Sequence, residues 1–283
     1  MRTERTTTTE ATGRVRAALA LVVGAVLAVA GAAGTAAAQP SPPSGPPTAD
    51  GPTAARLGAA WIATQVDAGL PLQVFGADDW GATADAGLAL AATGVDLPGA
   101  HSVWAAIESH REAAVAPDDG SGGPGPFPDD PGALSKVILL AHALGEDPHA
   151  VGAAPGDDLV ARLQESIRTS GPDAGLYGSK APTFDGSYRQ GLALQALAAV
   201  GVAPDPAAVT WLLTQQCPDG AWAAYRVDPA AACPTSGFGV SPETNGTGSA
   251  VTGLSALGGH GGVVAAALDW LAGVRLADGG WGF

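Results

Sequence analysis

Trp211 to Trp222 reads WLLTQQCPDGAW, and 59 residues later Trp270 to Trp281 reads WLAGVRLADGGW. Each copy opens with Trp-Leu, carries Asp-Gly at one offset, and closes on a second Trp eleven residues after the first. A repeat this specific announces an architecture built from like units. The pattern predicts a helix bearing Trp and Leu, a tight Asp-Gly turn in which Gly takes positive φ, and an aromatic folding back.

Outward from these copies, helical periodicity alternates with Gly/Pro/Asp-rich connections from Ala54 onward. One helix type carries an apolar stripe: around Leu57 and Trp61, Val103 to Ile107, Leu159 to Ile167, Val209 to Leu212, and Gly262 to Leu276. The other is apolar nearly all round: Ala84 to Thr93, Leu134 to Leu144, Tyr188 to Val200, and Thr247 to Leu257. A helix apolar on every face must be enclosed on every face. Gly94, Gly145, Gly201 and Gly258 follow these segments and are expected as left-handed C-caps. The alternation predicts an all-α fold, an α/α toroid with enclosed helices as inner ring and striped helices as outer ring. Small Ala and Gly let inner neighbours approach closely. Four complete pairs and a fifth outer helix are expected, with the fifth inner helix missing, so residues 54–283 read as an incomplete, C-terminally truncated barrel. Thr247 to Leu257 and Gly262 to Leu276 are accordingly expected to be the least protected helices.

The chain has 283 residues, 46% hydrophobic, with net charge −14. Nothing in that balance neutralises phosphates, so nucleic acid is not an expected partner. Residues 1–38 read as a signal peptide: Arg2, Arg5, Arg14 and Arg16 precede an uncharged Ala17 to Ala38 ending Ala36-Ala37-Ala38. An uncleaved membrane anchor is the alternative. Removal takes four Arg and two Glu away, leaving 9 basic against 25 acidic residues, a net of −16. Residues 39–53 form a Pro/Ser/Gly-rich leader. The two cysteines, Cys217 and Cys233, lie in one loop of an exported chain and are expected to form a disulfide. Two Cys alone lack the ligands a zinc site needs.

The Trp-Leu, Asp-Gly, Trp units resemble the prenyltransferase and squalene-oxidase repeats of the α/α toroid superfamily. That group includes triterpene cyclases, protein prenyltransferase β subunits and cobalamin carriers of the transcobalamin type. Thr83 to Leu90, Gly132 to Lys136 and Gln216 to Gly220 are similar to an exported actinobacterial prenyltransferase-like family. The resemblance implies the toroid; it does not choose among the chemistries that toroids host.

Cyclases of that superfamily protonate an alkene with Asp-x-Asp-Asp. The nearest match, Gly76-Ala77-Asp78-Asp79, lacks the first Asp and reads as helix-start charge. No Asp-x-Cys resembles the prenyltransferase zinc set, and the histidines show no i, i+4 pairing. No Ser sits in a nucleophile elbow. No catalytic or metal-binding residues are therefore expected, and Asp118-Asp119-Gly120 does not complete a calcium loop.

Inner-helix starts converge at one mouth of such a barrel, where polar residues are candidate ligand contacts. They are Asp79, Trp80, Thr83 and Asp85; then Lys136; then Tyr188 and Gln190; then Glu243, Asn245 and Thr247. Capping is the competing reading for Ser, Thr, Asp and Asn here. Asp85, Lys136 and Gln190 lie past the cap on apolar helices, where they point into a cavity or are costly to bury. The resemblance to cobalamin carriers makes a corrinoid one candidate ligand, with Gln190 and Asn245 suited to its amides. The expectation is an exported, non-catalytic toroid binding a small ligand or a cell-surface partner at its mouth. The alternatives are an enzyme acting on isoprenoids and a structural surface domain.

Overall fold

The computed structural model describes residues 51–117, 127–151, 158–179, 182–226, 233, 239–277 and 279–282. The signal segment, residues 39–50 of the leader, and Asp118 to Gly120 lie outside the described residues.

Acidic residues start most of the helices. Asp79, Asp96, Asp130, Asp158, Asp205 and Glu243 accept backbone N–H groups at the starts of α2 (Trp80–Thr93), α3 (Leu97–Ser109), α5 (Pro131–Leu144), α6 (Leu159–Glu165), α8 (Pro206–Thr214) and α9 (Thr244–Leu257). Each satisfies amides that a first turn leaves without partners and sets a negative charge at the positive end of the helix dipole. The remaining helices are α1 (Gly51–Ala68), α4 (Arg111–Val115), α7 (Ser187–Ala199) and α10 (Gly261–Gly273). Among the described residues the strands are two short antiparallel pairs. β1 (Gln73–Val74) pairs with β2 (Ala77–Asp78), and β3 (Trp222–Ala223) with β4 (Pro242–Glu243). The fold is all-α.

Two kinds of helix are evident. α2, α5, α7 and α9 follow one another as packed neighbours. Each is buried round most of its circumference. α1 and α3 pack on α2, α6 on α5, α8 on α7, and α10 on α9. These flanking helices are one-sided: α1 buries only Ala59, Ile62 and Val66, and α10 only Ala267. The enclosed segments begin three or four residues before the expected starts at Ala84, Leu134 and Thr247, because capping acids, not the first apolar residues, set the first turns. α1 likewise begins at Gly51, three residues before the expected domain start.

Small residues bring α7 and α9 together. A methyl group on Gly191 would fall 2.3 Å from the Ser249 carbonyl oxygen, and one on Gly253 would fall 2.5 Å from that of Gly191. Only glycine permits this backbone approach at either position.

Gly94 and Gly145 are left-handed caps, at φ 64° and 81°. α7 ends instead on Val200, with Gly201 (φ 74°) one residue beyond. Gly258 departs from expectation: φ 75° with ψ 173° turns the chain away rather than continuing a left-handed cap.

The repeat is a structural one. Gly220 and Gly279 share φ values of 94° and 90°. Cys217 N–H donates to Ala221 O at 2.8 Å, and its counterpart Leu276 N–H to Gly280 O at 2.8 Å. Trp222 Nε1 donates to Leu212 O at 2.9 Å, and Trp281 Nε1 to Leu271 O at 2.7 Å. Surroundings differ: Trp222 is fully buried beneath β4 and α9, whereas Trp281 is 40% exposed. The large exposed apolar side chains gather at the two ends of the helix row, Leu57, Trp61, Phe75, Val95 and Leu97 at one and Leu268, Val274, Leu276 and Trp281 at the other. Cys217 and Cys233 form the expected disulfide, with Cα atoms 5.6 Å apart.

Candidate functional site

Asp85 and Lys136 are each the sixth residue of their helices, α2 and α5, and those helices are neighbours. Equal depth on adjacent helices places Lys136 Nζ 2.7 Å from Asp85 Oδ2, with side chains only 13% and 11% exposed, respectively. Tyr188, in the first turn of α7, joins them: its phenol lies within electrostatic reach of both charges. Asp79 adds a further nearby carboxylate. Three helices thus contribute to one charged cluster near their N-terminal ends.

Burial governs its protonation. Burial pushes the Asp85 carboxyl above its ordinary range, with the Lys136 charge and hydrogen bond pulling the other way. Burial would lower Lys136, but Asp85, assisted by Tyr188 and Asp79, overcomes it and keeps the ammonium protonated. Burial likewise raises the Tyr188 phenol. Asp85 Oδ1 is buried and has no hydrogen-bond partner, although its twin oxygen holds Lys136. It is the unspent acceptor of the cluster.

A second network flanks the first. Arg189 on α7 pairs with Asp130, the cap of α5, and with Asp185 at 3.1 Å, and it donates to Ser179 Oγ at 2.9 Å. Arg168 adds a 2.9 Å pair to Asp185. Positive and negative members balance, and the network fastens the start of α7 to α5 and to the preceding connection.

Thr83, Gln190 and Thr247 have a shared task that the sequence does not reveal. Each stands four residues after a helix cap, at Asp79, Gly186 or Glu243. Each accepts the main-chain N–H of a residue in the preceding connection: Leu72 at 2.9 Å, Tyr177 at 2.9 Å and Trp222 at 3.0 Å. The Gln190 amide also donates to Gly175 O at 3.0 Å and Ala208 O at 2.9 Å. These three side chains are spent within the fold.

The other expected residues divide. Asp79 caps α2 through Ala82 N–H at 2.7 Å, and Glu243 caps α9 through the N–H groups of Gly246 and Asn245. Trp80 is half-buried and stacks on His110, with centroids 5.1 Å apart. Asn245 is half-buried at the start of α9. The structure brings Asp85, Lys136, Tyr188 and Asp79 together and adds Tyr225, which is coupled to Tyr188, Lys136 and Glu243. Tyr225 sits in an irregular connection with no periodicity to flag it; its ring packs on Gly239 and meets Phe184 edge-on at 5.2 Å.

The cluster offers fixed charge, phenol hydroxyls and a buried acceptor without a donor, a set suited to holding a polar group. Among the described residues, no three or more His, Cys, Asp or Glu side chains are placed to hold a metal ion, and no helix is long and apolar enough to cross a membrane. Compared with known families and with curated proteins, the chain matches no family model and no curated protein.

Proposed function

We propose that this chain is an exported α/α toroid that binds a small ligand at the N-terminal ends of α2, α5, α7 and α9. The single observation that carries the reading is the convergence of Asp85, Lys136 and Tyr188, from three helices, on one buried cluster with an unused acceptor. Natural chains rarely bury such a set without use for it. The alternation of enclosed and one-sided helices supports the ring arrangement, with α2, α5, α7 and α9 as its inner members. It also supports the resemblance to prenyltransferase and squalene-oxidase repeats. The disulfide fits an extracellular protein and accords with export.

A corrinoid is one candidate ligand. Gln190 is committed to three backbone groups, so Asn245 alone is left of the two amides expected to meet it. The test is an NMR titration of the mature chain, from Gln39 onward, read at the Trp80 indole and the Tyr188 ring, with cobalamin and cobinamide among a set of small polar probes. Saturable shifts at both residues support the site. Shifts confined to other residues, or none from any probe, remove it. Visible absorbance decides the corrinoid question in the same samples.

A further inference from the structure

The charges around Asp85 do not balance. Asp79 and Asp85 face one ammonium, Lys136, and Glu243 lies beyond beside Tyr225. Arg189 does not make up the difference, since Asp130 and Asp185 already answer it. Asp85 Oδ1 stays without a donor in this excess of negative charge. Two half-buried aromatic side chains, Tyr188 and Tyr225, stand at the cluster. Aromatic faces and a carboxylate together favour an organic cation over a neutral or anionic group. The wider field agrees, because a chain of net charge −14 draws cations toward it.

We infer that the ligand is a small protonated amine whose N–H group donates to Asp85 Oδ1 while its carbon skeleton lies against Tyr188 and Tyr225. This rests on the ligand-binding reading above and names the chemistry of the same site. Lys136 then acts as a positioning residue: it holds the other Asp85 oxygen and fixes the acceptor's orientation.

Hexylamine, hexan-1-ol and hexanoate share one skeleton and differ in charge. Calorimetry and the NMR signals of Tyr188 and Tyr225 are followed for each probe with the intact mature chain. The expected result is saturable binding of hexylamine, tighter than hexan-1-ol by about tenfold or more, with no binding of hexanoate. Asp85→Asn is expected to remove most of that preference. It also deprives Lys136 of its counter-charge, so Asp79→Asn serves as a second variant. Asn retains helix capping, and the loss of one carboxylate is expected to weaken hexylamine by roughly threefold. Equal or tighter binding of hexan-1-ol or hexanoate overturns the inference, as does hexylamine binding indifferent to both substitutions. If either other probe shifts Tyr188 and Tyr225 while hexylamine does not, the mouth binds ligands and only the amine assignment falls. If none of the three shifts them, both fall.

Discussion

Thr247 Oγ1 accepts the main-chain N–H of Trp222 at 3.0 Å and donates to Glu243 O at 2.7 Å. One hydroxyl therefore fastens the connection bearing Trp222 to the first turn of α9, in a place closed to solvent. Thr247→Val keeps the shape and removes the acceptor. The Trp222 N–H loses its side-chain acceptor, and the expected loss is about 1 kcal/mol of stability. Urea denaturation checks this; an unchanged midpoint would show the hydroxyl to be dispensable.

Gly191→Ala and Gly248→Ala should move stability in opposite directions. The first drives a methyl group against the Ser249 carbonyl, which as backbone cannot swing aside. A cost of about 1–3 kcal/mol is expected. At Gly248 a methyl meets nothing within 4 Å, and Ala gains up to about 1 kcal/mol over Gly inside a helix. Thermal melts of the two variants against the parent test the pair.

Glu243 gives the pH dependence a definite sign. Burial raises its carboxyl above 4.5, against the pull of the Gly246 and Asn245 amides. The folded chain thus holds this proton more tightly than the unfolded chain does. Its contribution to stability is fully present below the unfolded value and is lost as pH rises through the folded one. Glu243→Gln cannot ionise, so the parent should lose stability relative to the variant as pH climbs above 4.5. Melting both across an acid-to-neutral series measures the gap. A gap that stays constant or narrows with rising pH contradicts the assignment.

Cys217→Ser combined with Cys233→Ser opens a covalent loop spanning 16 positions. The chain-entropy account gives a loss of about 3 kcal/mol. Chemical denaturation of the double variant, and of the parent under a reductant, should agree with each other.

Hydrogen exchange should separate α10 from α9. The sequence suggests that both are weakly protected, but α9 buries residues from Gly246 to Leu254 against its neighbours, while α10 buries Ala267 alone. Amides of α10 are expected to exchange fast and those of central α9 slowly. Matching rates in the two helices would refute this.

The helix plan was legible because it depends on composition spread over many residues. Ala and Leu on every face of residues 84–93 or 134–144 admit one physical solution, enclosure, and the twin Trp units name their own turn. The site was legible only in part. Asp85 and Lys136 are conspicuous as charges in apolar helices, but their union spans 51 positions and depends on equal depth in two packed helices. Thr83, Gln190 and Thr247 look equally like ligand contacts or fastenings from the sequence, because the amides they accept belong to separate connections. The weak protection that the sequence suggests for α9 is revised for a related reason: small residues let α7 and α9 close upon each other, which no count of apolar residues conveys.

The three fastenings reach across 11, 13 and 25 positions, from Leu72 to Thr83, Tyr177 to Gln190 and Trp222 to Thr247. One latch therefore serves excursions of very different length. Those spans also carry the Asp79 and Glu243 caps, Asp185 and Cys233, so each excursion brings a further tie of its own to the frame. A protein built this way sets each helix start by one repeated tie, whatever length of chain leads to it.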